Sequence, residues 1–200
     1  GKEYRWIKGI CGGEISYYTS NDQKNFLNPK GMYGWTWEAA AAKYHISYML
    51  ASSAPGGKYA TVERFREAGI ASGYSFRVSN CRTNGSETRL TVSNQGIAPI
   101  YRDAYFAIGN VQSDISLRGL LPGKGLDIVI PAALVDAEDL QIVSPYILPT
   151  QKIEFETGEF TAVDHVEVPN SSAVKQLKDG QIVIIRNNCK YTLMGQMIDK

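Results

Sequence analysis

A carboxylate, a run of aromatic residues and two histidines carry most of the chemistry in this sequence. Glu14 follows the apolar stretch Trp6-Ile7-Lys8-Gly9-Ile10-Cys11 and the glycines Gly12 and Gly13. A carboxylate at the end of a strand can move a proton or attack an acetal carbon, and glycoside hydrolysis needs two such groups flanking one bond. No second carboxylate is placed with comparable logic: Glu38 opens a helix, where it favours the N-terminal end, and Asp103 falls among strands. Glu14 is thus the catalytic candidate, and in this chain alone a structural or sugar-contacting role is expected of it.

The aromatics Tyr17, Tyr18, Tyr33, Trp35 and Trp37 gather around the loop 25–34, and His45 belongs to the same region. Aromatic faces pack against sugar rings while nearby Asn, Asp and Glu fix orientation, so Tyr17, Tyr33, Trp35, Trp37 and His45 are candidate oligosaccharide contacts. The competing reading makes Trp35 and Trp37 seals between helix and strands, and His45 a satisfied structural residue. No Cys or second His lies near His45. In the alternating stretch Val163–Val168, Asp164, His165 and Glu167 cannot share one strand face, so no metal site is expected. Gly56-Gly57-Lys58 lacks the rest of a phosphate loop, and no cofactor is expected. Tyr101-Arg102-Asp103 reads as a structural corner with an Arg–Asp pair. Cys11, Cys81 and Cys189 have no metal-like spacing and read as buried thiols, with one disulfide plus a leftover thiol as the minority alternative.

The elements that must position these residues differ between the two ends of the chain. Residues 6–14 read as a strand, and Thr36 caps a helix through the alanine run to Lys43. His45–Leu50 either continues that helix or forms a second strand. Residues 59–71 form a second helix with Gly73 as its stop, which completes a βαβα pattern. From Tyr74 the period changes to two. Strands are expected near 74–79, 88–93, 103–109, 115–120, 126–130, 139–143, 152–157 and 160–168, which suits an antiparallel immunoglobulin-like sandwich. A hairpin, 181–194, turns at Asn187-Asn188. The fold class is α+β, mainly β, organised as 1–72, 73–168 and 169–200.

With 200 residues the chain can bury one large core or two small ones. Lys and Arg number 21 against 20 Asp and Glu, so no general attraction to nucleic acid follows. Apolar runs are too short for a transmembrane helix. The chain opens at Gly1 without Met, as a processed chain or one with a leftover tag glycine would.

Two parts resemble known families. The marks GGE (12–14), HISYML (45–50), EAGIASGYSFRV (67–78) and VSNQGIAPIYRD (92–103) resemble an uncharacterised domain-of-unknown-function family. In that family the segment lies behind a barrel of glycoside-hydrolase type and carries a β-sandwich. The resemblance implies that residues 1–72 are the last βα units of a (β/α)-barrel, with an upstream barrel domain as partner, and that Glu14 stands at the C-terminal mouth of a barrel strand. The tail LKDGQIVIIRNNCKYTLMGQMIDK (177–200) resembles the sorting segment of the type IX (Por) secretion system, departing at Asn188, where related tails commonly have Gly. That implies an extracellular or outer-surface protein.

The favoured expectation is a non-catalytic accessory module of a secreted or surface carbohydrate-active protein, binding glycan or supporting a neighbouring domain. Its alternatives are a glycoside-hydrolase fragment with Glu14 as an active-site carboxylate, and a structural or adhesive surface protein.

Overall fold

The computed structural model describes residues 3–15, 20–51, 56–158, 174–178, 181–186, 189–191 and 197–199. The chain divides into two compact units, Gly1–Ala162 and Val163–Lys200. The described residues are α+β and mainly β, with three α-helices and several open sheets.

The first unit begins with a 3₁₀ turn at Arg5–Ile7, followed by β1 (Gly12–Glu14), α1 (Ser20–Asn25), α2 (Trp37–Tyr44), β2 (Tyr48–Leu50) and α3 (Val62–Ile70). β1 and β2 pair in parallel, Gly12 opposite Tyr48 and Glu14 opposite Leu50. The expected sequence of strand, helix, strand, helix is met by β1, α2, β2 and α3, but the unexpected short helix α1 intervenes between β1 and α2, and the strand expected over 6–14 is confined to 12–14. Trp6 is diverted by a long-range contact: its ring stacks on His45 at 3.6 Å, and its carbonyl accepts the Tyr101 hydroxyl at 2.5 Å. Strand pairing gives way to that packing. The open choice over His45–Leu50 is settled by His45, which caps α2 in the left-handed region (φ 52°, ψ 49°) and lets residues 48–50 extend.

Threonines start both longer helices. Thr36 Oγ1 accepts from the Ala39 amide and Thr61 Oγ1 from the Arg64 amide, each at 3.2 Å. α3 ends at Ala71, before the expected stop at Gly73, whose positive φ of 69° serves the exit turn instead. Arg64 ties the helices together. Its guanidinium meets Glu38 at 2.6 Å and Glu67 at 3.3 Å, and its Nε donates to the Leu27 carbonyl. The hydrogen bond from Arg64 holds the Glu38 carboxyl below its ordinary value.

From Phe76 the chain forms β3 (Phe76–Thr83), β4 (Thr88–Asn94), β5 (Tyr105–Ile108), β6 (Val111–Gln112), β7 (Gly125–Ile130), β8 (Leu140–Val143) and β9 (Phe155–Thr157). One sheet has the order β7-β4-β3-β9 and another β6-β5-β8. The alternation seen in the sequence fixes which residues turn inward. Val78 lies opposite Val92 and Leu90 opposite Ile128, and these join Phe106, Ile108, Leu140 and Ile142 of the other sheet in one apolar cluster. β9 runs parallel to β3, with Phe155 opposite Phe76.

The strand expected near 115–120 is absent. Leu117 is buried there, but its amide and that of Gly119 pair with the isolated carbonyls of Ala104 and Ile100, and the Leu120 amide turns back onto the Leu117 carbonyl, so no strand ladder forms. The strand expected near 152–157 is limited to β9, and the one near 160–168 lies outside the described residues. Cys11 and Cys81 are free thiols, and burial pushes that of Cys81 up.

The second unit contains β10 (Val174–Lys178), β11 (Gln181–Arg186), β12 (Cys189–Tyr191) and β13 (Met197–Asp199). Each pairs antiparallel with the next. The expected hairpin is therefore the middle of a four-stranded sheet, and its Asn187-Asn188 turn lies outside the described residues.

Candidate functional site

The aromatic loop resolves into a turn. Met32 and Trp35 exchange both backbone hydrogen bonds, at 2.8 and 3.1 Å, around a two-residue tip at Tyr33-Gly34. Both tip residues have positive φ, 52° and 83°, which is the geometry of a type I′ hairpin turn. Gly34 takes this conformation freely, whereas Tyr33 is held in it by a side-chain anchor: its hydroxyl donates to Asp22 Oδ1 at 2.8 Å. That hydrogen bond raises the Tyr33 phenol above its ordinary value. Gly31 is fixed sterically, since a Cβ there would lie 2.5 Å from the Trp35 carbonyl oxygen. The turn leaves Tyr33 76 % and Trp35 46 % exposed. Exposed aromatics on a braced turn present apolar faces at little entropic cost on binding.

The other predicted residues separate from this pair. Trp37 turns inward: its Nε1 donates to the Ala68 carbonyl at 2.9 Å and its ring meets Phe26 edge-on. It joins α2 to α3. His45 is half-buried against Trp6, with Nδ1 2.6 Å from the Ile97 carbonyl, which makes Nδ1 the protonated nitrogen. Tyr17 lies outside the described residues. Glu14 ends β1 exposed to solvent, and its carboxylate makes no hydrogen bond or ion pair among the described residues. The adjacent Ile15 amide donates to the Leu50 carbonyl, so the backbone at Glu14 is fixed while its carboxylate is open.

Asp22 is the residue that sequence reasoning missed. It is 7 % exposed, on a short helix that no periodicity announces. The corner at Tyr101–Asp103 forms with different partners: Arg118 approaches Asp103 at 3.8 Å, and Arg102 lies over the Tyr146 ring. No group of three or more potential metal ligands occurs among the described residues, nor is any helix among them long and apolar enough to cross a membrane.

Comparison with family models, with curated proteins and with solved structures finds no match to this chain.

Proposed function

We propose that the chain is a non-catalytic accessory module of a secreted or surface-attached carbohydrate-active protein, and that its mixed sheet β7-β4-β3-β9 and antiparallel sheet β6-β5-β8 form an immunoglobulin-like sandwich supporting a glycan-contacting turn. The observation that carries this reading is the Tyr33–Trp35 turn: two exposed aromatics, one braced by a buried carboxylate. Sugar rings stack on such faces, and the neighbouring polar groups of the loop supply orientation. So small a platform binds weakly, with a dissociation constant on the order of 1 mM. Affinity electrophoresis of the chain through gels containing soluble glucans, xylans or mannans is expected to show retardation by at least one polymer. Trp35→Ala is expected to weaken that binding roughly three- to tenfold with unchanged melting, the range of one aromatic stacking contact. Free migration through every polymer would overturn the proposal.

A second reading has its own observation. β1 and β2 are parallel, and Glu14 is exposed at the C-terminal end of its strand. Parallel pairs belong to sheets covered on both faces, and in barrel enzymes the chemistry sits at that end. On this reading the segment completes a glycoside hydrolase carried on a longer polypeptide. Glu14→Gln is then expected to lower its glycosidase turnover by at least about a thousandfold; unchanged turnover removes Glu14 from the mechanism.

A further inference from the structure

A cleft of 630 Å³ opens beside β8, lined by β8 itself and by the segment leading through Ile147, Leu148 and Ile153 to Phe155. β8 ends one sheet and β9 ends the other, so two sheet margins border the cleft. The direction of the β8 backbone follows from its neighbours. The Phe106 carbonyl accepts the Ser113 amide, on the β6 side of β5, so Tyr105 and Ala107 are the residues whose polar backbone faces β8. Their partners are Val143 and Gln141. Ile142, between them, therefore points its N–H and C=O away from β5 and into the cleft. Neither group has a partner among the described residues, although Ile142 is only 4 % exposed. Buried backbone groups are almost always paired, which makes this donor and acceptor a point of demand. On the far wall the Gly158 amide faces β3, so the same alternation turns the Phe155 backbone away from β3.

We propose that the cleft receives an extended peptide segment of a partner protein, which adds a strand to β8. An extended backbone offers one donor and one acceptor every second residue on each side, the spacing that Ile142 and its neighbours present. A recessed margin admits a single strand more readily than the flat edge of a second sheet, which distinguishes this occupant from another copy of the chain. The rim carries Glu138 and Glu154 against Lys152, and so favours a segment with cationic ends. Leu148 and Ile147 supply apolar surface to alternate side chains.

The test uses the full chain and the probe acetyl-Lys-Thr-Val-Thr-Val-Thr-Lys-amide, with a control N-methylated at alternate residues so that one edge cannot pair. Titration followed by amide NMR is expected to shift the signals of residues 140–144 and to slow exchange of the Ile142 amide by at least about tenfold at saturation. The methylated probe should do neither. Ile142→Pro removes the donor and is expected to abolish binding; if that variant fails to fold, the comparison of the two probes decides. Equal binding of both probes, or unperturbed signals at 140–144 in millimolar probe, would overturn the proposal. So would protection of the Ile142 amide by self-association without peptide, which identifies a second copy as the occupant.

Discussion

Single residues in this molecule act at a distance that sequence spacing conceals. Asn94 is fully buried and uses every polar atom of its side chain: Nδ2 donates to the carbonyls of Ala98 and Leu120, and Oδ1 accepts from the amides of Ser75 and Gly96. It closes three chain segments around the end of β4. Asn94→Ala would strand two buried acceptors, the carbonyls of Ala98 and Leu120, and two half-buried donors, the amides of Ser75 and Gly96, each costing about 1–3 kcal/mol if left dry. Urea unfolding is expected to show a loss of at least about 3 kcal/mol with an unchanged denaturant slope. A loss under about 1 kcal/mol would mean that water replaces the side chain. The same lesson applies to the candidate site: Trp35 and Trp37 are two positions apart, yet one faces solvent and the other hydrogen-bonds across to α3. Residue type announced an aromatic cluster. Only the turn at Tyr33-Gly34 divides it.

At the level of elements, legibility followed the length of the repeating pattern. β3, β4 and β7 each show an alternation of buried and more exposed residues over several positions, and they lie where that alternation predicts. α2 announces itself through Thr36, and α3 through the spacing of Val62, Phe65, Ala68 and Ile70, whereas its Thr61 cap emerged only from the structure. Short elements did not announce themselves. β6 has two residues and α1 six, and neither length holds a period long enough to read. The apparent strand at 115–120 had apolar residues at suitable spacing, but its amides found partners in Ala104, Ile100 and, through a local turn, Leu117. Backbone hydrogen bonding overruled a weak side-chain pattern because buried amides are almost always paired.

Across the whole molecule, the first unit is held together by a junction that no single element contains. Gly73 donates to Ile46 and its carbonyl accepts from Ile97 and Ala98, while a Cβ on Gly96 would lie 2.5 Å from the Gly73 carbonyl oxygen. With His45 on Ile97 and Tyr101 on Trp6, this joins the βαβα segment to the strands that follow. The second unit folds on itself as four consecutive antiparallel strands. From the resemblance of residues 177–200 alone, we propose that this tail is a sorting segment of an exported protein. Mass spectrometry of the protein recovered from its native cell surface is then expected to show the tail removed; an intact Lys200 would make the sheet a permanent part of the protein.

The sequence by itself determined the mainly β class, the inward faces of the long strands and the two longer helices α2 and α3, because each depends on periodicity or on a cap within a few residues. The tertiary structure alone decided that Trp37 and His45 pack inward, that Asp22 braces Tyr33, and that the polar backbone of Ile142 faces an open cleft. Those outcomes rest on partners between 11 and 52 positions away for the side chains, and on which strand ends each sheet for the backbone. Such contacts form only when separate segments meet, so local sequence carries no trace of them.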